Sequence, residues 1–406
     1  MKNHFLSLFV FLLTMNGLLF AREPLTGIHT WAYQLQNIRI DDIVSNATFE
    51  LIVIDYSADG SNETRFSAGE ISRIRQSGKK AMAYLSIGEA ETYRYYWQPS
   101  WDSNSDGKPD KNAPVWLGPV NPDWEGNYKV RFWYDDWQSI IFGYVDKIVD
   151  QGFDGIYMDI IDAYYYWAEE VSEKPDADAL MIQFVLNIRK HLNETGHPDF
   201  YMIPQNGEYI LVEPHVTEAM AQTYLDAVDA IGVEDVFFQG DEDMNNPYDP
   251  DAERLDMLAI FQQSDKPVFS IEYLTDTHKI TRYIEACATF HFIPVVANRE
   301  LDQLPDGIDA GTERINSGPD QCVLYPNFPN PFNSTTRIRF DLNTTADVRL
   351  AIYNALGKLV FSEQKGRLTA GQHHWCVRLD NQPSGIYVAM LQANSFIKTQ
   401  KLILMN

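Results

Sequence analysis

Eight short apolar runs, each ending in or beside a polar residue, predict an α/β chain that opens as a (β/α)8 TIM barrel and closes as a small all-β sandwich. The runs cover residues 28–35, 51–55, 81–89, 155–159, 200–206, 230–234, 267–272 and 292–298. They are rich in branched side chains and too short for helices, which is how strands covered on both faces of a parallel sheet read. Stretches of helical periodicity separate them, as a parallel barrel requires. After Asn298 both patterns stop, and a second set of runs alternates apolar and polar residues, as in Val348, Leu350 and Ile352. Alternation of that kind marks strands with one buried face, and several in succession predict a sandwich.

Residues 1–21 precede the first strand. Lys2, a largely apolar stretch from Phe5 to Phe20 and Ala21 as a cleavage point read as a signal peptide. No later apolar run is long enough to span a membrane, which takes roughly 18 residues. The barrel is expected over 22–300, a linker poor in apolar residues over 301–321, and the sandwich over 322–406. Three cysteines are too few for a disulfide framework, and although an oxidising compartment would allow Cys322 and Cys376 to pair, the sequence favours their staying unpaired. A net charge of −25 excludes a nucleic-acid partner, whose phosphates demand a basic face.

Between the strands, Ser67 and Glu70 have capping-box spacing ahead of Ile71 and Ile74, with Gly78 as the stop. Trp137, Ile141, Tyr144, Val145 and Ile148 repeat on one helical face, as do Met181, Phe184, Val185, Ile188 and Leu192. These faces belong to the core. Residues 95–134 interrupt the rhythm and carry Trp97, Trp101, Trp116, Trp124 and Trp133, which suit either a sugar-stacking rim or a small satellite core. Within this insertion Asp102, Asn104, Asp106 and Asp110 have calcium-loop spacing, but Ala113 stands where an EF-hand supplies a bidentate Glu. A structural calcium or a solvated polar turn fits that stretch, and nothing else in the chain implies a cofactor.

The chemistry is expected at the barrel rim, where every strand delivers its C-terminal residue. Strand alternation turns Asp159 inward at the end of the fourth run, and Asp162 follows in the loop above it. Glu234 and Asp235 end the sixth run. Two carboxylates from different strands facing one cleft are what glycoside hydrolysis uses, one to attack or activate water and one to protonate the leaving oxygen. Any single acid could instead pair with a Lys or Arg, but such residues are scarce near these strand ends. Metal-assisted hydrolysis would need histidines, and only His291 lies near a strand end.

The segments Trp31-Ala-Tyr-Gln-Leu35, Ile54-Asp55-Tyr56, Tyr84-Leu-Ser-Ile-Gly-Glu-Ala-Glu-Thr-Tyr-Arg94, Gly152-Phe-Asp-Gly-Ile-Tyr-Met-Asp159, Gln205-Asn-Gly207, Gly232-Val-Glu-Asp235 and Phe269-Ser-Ile-Glu-Tyr273 resemble glycoside hydrolase family 114, the endo-α-1,4-polygalactosaminidase-like proteins. The resemblance covers nearly all of residues 27–300. It implies that Asp159 is the nucleophile and Glu234 the general acid/base of a retaining endo-hydrolase acting on an α-linked polysaccharide. It further implies that Trp31, Asp55, Glu91, Arg94, Asp162, Asn206 and Glu272 line the substrate site, although Glu91 paired with Arg94 would equally brace the loop. This chain departs from characterised members by Ile160 after the aspartate and Val233 before the glutamate, where those tend to carry Asn. A barrel that binds glycan at the cell surface without cleaving it is the alternative function.

Tyr325-Pro-Asn-Phe-Pro-Asn-Pro-Phe-Asn333, Tyr353-Asn-Ala-Leu-Gly-Lys358, Pro383-Ser-Gly-Ile-Tyr387 and a last strand containing Lys401 resemble the C-terminal sorting domain of the type IX secretion system. That resemblance implies the type IX machinery as a partner and a secreted or cell-surface location.

Overall fold

The computed structural model describes residues 23–308, 322–324, 327, 329–342, 345–354, 358–380, 382–393 and 396–405. The chain divides into two compact units between Thr312 and Glu313. The expected signal peptide, residues 309–321 of the expected linker and the side chain of Cys322 lie outside the described residues.

The first unit is the eight-stranded parallel barrel. Its strands are β1 (Trp31–Gln34), β2 (Leu51–Ile54), β3 (Lys80–Ser86), β4 (Gly155–Asp159), β5 (Tyr201–Pro204), β6 (Ile231–Glu234), β7 (Val268–Tyr273) and β8 (Ile293–Ala297). β1 to β5 form one parallel ladder and β6 to β8 another. A parallel bridge between Gln205 and Gly232 joins β5 to β6, and the Trp31 indole donates to the Ile293 carbonyl at 2.9 Å from β1 to β8. Both seams are therefore closed, which removes the exposed strand edges that an open sheet would present.

Alternation along the strands sorts side chains into two cores. Trp31, Tyr33, Val53, Met82, Tyr84, Tyr157, Ile203, Phe269, Ile271, Tyr273 and Val295 fill the barrel interior. Their neighbours Ala32, Ile52, Ala83, Ile156, Met202 and Val233 pack instead with the surrounding helices. Gly232 makes room for this interior, because a Cβ there would lie 1.8 Å from the Tyr157 hydroxyl oxygen. The Ser67 and Glu70 capping box forms at the start of the helix Ala68–Gln76, and the helices Asp135–Gln151 and Ala177–Glu194 bury the faces their spacing predicts.

The insertion after β3 folds as a three-stranded antiparallel sheet of Glu89–Glu91, Asn127–Val130 and Leu117–Val120. Its tryptophans are mostly core. Trp97 packs on Trp101, Trp101 on Trp116 and Trp116 on Trp137, and only Trp124 is well exposed. Burying an aromatic side chain stabilises by about 1.5–3 kcal/mol, so this small sheet is held by its own hydrophobic centre.

Residues 301–308, expected as linker, pack against the barrel. The Leu301 carbonyl accepts the Leu35 and Gln36 amides, and the Gly307 amide donates to Thr48 Oγ1 at 2.8 Å. Leu301 is buried and Leu304 packs on the core, two apolar residues whose seats low average hydrophobicity conceals.

The second unit is all-β. A sheet of Cys322–Leu324, Thr335–Leu342 and Gly371–Arg378 and a sheet of Leu359–Leu368, Ala346–Asn354, Gly385–Ala393 and Phe396–Leu404 are antiparallel throughout. Their inward residues, among them Ile338, Phe340, Leu350, Trp375, Leu391 and Leu402, form a separate core.

Candidate functional site

Asp159 ends β4 and Glu234 ends β6, both in phase with the barrel interior, so both half-buried carboxylates stand at its mouth above Tyr33 and Tyr157. The Tyr84 hydroxyl donates to Asp159 Oδ2 at 2.8 Å, and the Ile160 amide donates to Oδ1 at 2.8 Å. Glu234 Oε2 accepts the Asn206 amide at 3.0 Å, and Oε1 accepts the Tyr273 hydroxyl. Burial, then the neighbouring Glu234 charge, push the Asp159 carboxyl well above the ordinary aspartate range, while the Tyr84 hydroxyl and Ile160 amide pull it back down. Ile160 adopts a left-handed φ of 59°, unusual for a β-branched residue, and this turn aims its amide back at Asp159.

The cations near the rim are committed to other acids. Arg94 binds Asp55 Oδ2 and Glu91 Oε2, each at 2.6 Å, in a triad whose side chains are almost wholly buried. Arg254 pairs with Glu208 and donates to the Glu234 carbonyl at 2.8 Å, and Arg299 pairs with Asp235 at 2.8 Å. Among the described residues, no Lys or Arg forms an ion pair with Asp159, Glu234 or Asp162.

The residues expected to line a substrate site separate on this map. Asp162 and Asn206 border a cleft of about 670 Å3, together with Glu234. Trp31 lies on the barrel floor without exposure, and the Asp55, Glu91 and Arg94 triad braces the loop after β3. Glu272 does not line the cleft. Because Ile271 and Tyr273 face inward, Glu272 turns toward the helices, accepts the Phe237 amide at 2.8 Å and is fully buried. Burial pushes its carboxyl up to about 8.

Of the two departures at positions 160 and 233, only Ile160 borders the cleft; Val233 is buried against the helix layer.

The cleft also recruits residues that the strand-end pattern did not single out. Asn121 and Lys129 come from the insertion, Tyr164, Tyr165 and Tyr166 from the segment after β4, and Glu208 and Arg254 from the far side, and they join Glu89, the acid that ends the run 81–89. For Tyr84 and Tyr273 a signal existed, since Tyr84 occupies an inward position within an apolar run and Tyr273 one directly after a run.

At the calcium-like loop, the side chains are satisfied from within. Asp102 accepts the Asp106 and Gly107 amides and the Tyr128 hydroxyl, and Asp110 accepts the Ser103 amide and hydroxyl. Asn104 donates to Asp106 Oδ2 at 3.0 Å. Among the described residues, no group of three or more His, Cys, Asp or Glu side chains is arranged to hold a metal ion.

Comparison with known proteins agrees with the two-unit division. Residues 20–312 match the model of glycoside-hydrolase family GH114, and residues 327–405 match a secretion system C-terminal sorting domain. An uncharacterised protein of Methanocaldococcus jannaschii is 39% identical over 289 residues, covering 68% of this chain and 77% of that protein. An uncharacterised protein of Thermotoga maritima is 38% identical over 280 residues, covering 67% and 81%. Among solved structures, Aspergillus fumigatus Ega3 in complex with galactosamine is similar at 18% identity and a TM-score of 0.49, over 70% of this chain and 95% of that one. The glycoside hydrolase domain of PelA from Pseudomonas aeruginosa is similar at 16% identity and a TM-score of 0.49, over 70% and 99%. The chain belongs to glycoside-hydrolase family GH114, and its barrel is a glycoside hydrolase joined to a type IX secretion sorting domain.

Proposed function

We propose that this protein is a secreted endo-glycosidase that cleaves an α-linked, amino-sugar-containing polysaccharide with retention, using Asp159 as nucleophile and Glu234 as general acid/base. The observation that carries the reading is the pair itself. Two carboxylates end β4 and β6 in phase with the barrel interior, close enough for the Glu234 charge to act on Asp159, each accepts a tyrosine hydroxyl, and among the described residues neither forms an ion pair with a Lys or Arg.

In this mechanism Glu234 delivers a proton to the leaving glycosidic oxygen while Asp159 attacks the anomeric carbon, and Glu234 then takes a proton from the water that releases the glycosyl group. Asp159 must be ionised to attack. Burial opposes that, and the Tyr84 hydroxyl and Ile160 amide favour it, so the attacking form accumulates as pH rises through a raised pKa. Asn206, donating to Glu234 Oε2 and accepting from Arg254, fixes the orientation of the acid/base.

The cleft composition supports an amino-sugar substrate. Its lining includes Glu89, Asp162, Glu170, Glu208 and Glu213 against Lys129 and Arg254, and Arg254 is already paired with Glu208. Asp162, exposed at the cleft and, among the described residues, forming no ion pair with a Lys or Arg, suits a protonated sugar amine.

The test is product release by the full chain from acetylated and deacetylated α-1,4-polygalactosamine and from neutral α-linked glucans, beside Asp159→Asn and Glu234→Gln. Oligosaccharides from an amino-sugar polymer, lost in both variants and first released as the α-anomer, are expected. Turnover surviving in either variant overturns the assignment of that residue. Binding without cleavage by the unaltered protein replaces the enzyme with a glycan-binding barrel.

A further inference from the structure

Three consecutive tyrosines after β4 have three different fates. Tyr164 is buried and donates its hydroxyl to Glu213 at 3.1 Å. Tyr166 packs edge-on against Trp167 beneath the Lys129 ammonium, 4.5 Å from its ring centre. Tyr165 is 55% exposed, and among the described residues its ring packs on no other ring. The local backbone separates them. A single α turn, Ala163–Tyr165, runs directly into a π-helical turn, Tyr166–Glu170, and such turns are common at functional sites.

Tyr165 stands between two depressions. On one side is the cleft that contains Glu234; on the other is a cavity of about 160 Å3 bounded by Tyr164, Tyr165, Pro214, Glu213, Asp178 and His215. Tyr164, Tyr165 and Glu213 border both, so the two depressions share a wall rather than merely lying near each other. The smaller one is polar in a particular way. Asp178 is buried and accepts the His215 amide at 3.0 Å, with the His215 ring nitrogen 3.2 Å from the same oxygen.

We infer that the smaller depression is an outer sugar-binding subsite, with Tyr165 as the platform on which a ring of the polymer stacks as the chain leaves the cleft, and Glu213 and His215 as its polar contacts. An exposed phenol beside carboxyl and imidazole groups matches a pyranose ring, which has an apolar C–H face and a polar rim. An aromatic platform orders little flexible side chain on binding, so exposing it costs the protein little while adding affinity for each ring that reaches it. The inference rests on the glycan-cleaving reading above and adds that the enzyme recognises polymer beyond the reacting unit.

The experiment measures binding of α-1,4-linked galactosamine oligosaccharides, a trisaccharide and an octasaccharide, to the full chain carrying Glu234→Gln so that nothing is hydrolysed. The octasaccharide is expected to bind about tenfold more tightly than the trisaccharide. Adding Tyr165→Ala should bring that ratio close to one, and Tyr165→Trp should restore it. A thermal melt of each variant reads folding separately. A length preference that survives Tyr165→Ala overturns the subsite while leaving the proposed function intact. Equal binding of the two lengths before Tyr165 is changed overturns it as well, and no binding of either length overturns both readings.

Discussion

The Tyr84 hydroxyl reaches across from β3 to Asp159 on β4, donating to Oδ2 at 2.8 Å at the rim of the barrel. A hydrogen bond to a carboxylate favours the ionised form, and here it opposes the burial that raises the Asp159 pKa. Removing it with Tyr84→Phe should move the acid limb of the kcat/KM profile upward by about one to two pH units, because a hydrogen bond to a charged group is worth about 1.5–3 kcal/mol. The direction follows from the sign: activity is lost as pH falls through the Asp159 pKa, so a higher pKa means loss at higher pH. An unchanged limb would show that Tyr84 does not govern Asp159 ionisation.

Arg94 sits between Asp55 and Glu91 with almost no solvent contact. Arg94→Met leaves two carboxylates facing each other in a buried site, and the expected loss of stability is about 3–5 kcal/mol near neutral pH. The loss should shrink in acid, where the carboxylates take up protons. Urea denaturation at two pH values reads both effects, and a small, pH-independent loss would contradict the bracing role.

Glu272 holds its proton more tightly in the fold, with a pKa of about 8 against an ordinary 4.5. A raised acid contributes stability that is fully present below the ordinary value and is lost as pH rises through the folded one. Glu272→Gln, which mimics the protonated form, should therefore be nearly neutral in acid and stabilising above about pH 8. Thermal melts across that window check it; a variant less stable than the parent in alkali would refute it.

Ile160 pays a conformational penalty at φ 59° that Asn largely avoids. Ile160→Asn should raise stability by about 1 kcal/mol, measured as a higher denaturation midpoint. A lower midpoint would mean that the contact of the Ile160 side chain with the bend at Gly88 outweighs the strain.

The parallel strands were legible because strands covered on both faces leave continuous apolar runs, and the chain has eight of them. Asp159 and Glu234 were legible for a related reason: each ends such a run in phase with the interior. Glu272 ends a run too, but one residue out of phase with Ile271 and Tyr273, and that shift sends it to the helix side. The tryptophans of the insertion were ambiguous because composition shows apolar surface and not what covers it. Their mutual packing settled them as core.

By itself the sequence determined the barrel, the sandwich and the strand ends where acids gather, since periodicity and local capping are properties of neighbouring residues. Only the tertiary structure decided which acids stay without a cation. Arg94, Arg254 and Arg299 find Asp55 and Glu91, Glu208, and Asp235 largely across long sequence separations. Glu234 and Asp162 border the cleft and Asp159 stands near both, and among the described residues none of the three is ion-paired with a Lys or Arg, because ion pairing depends on distances of a few ångströms, which close only when the barrel does.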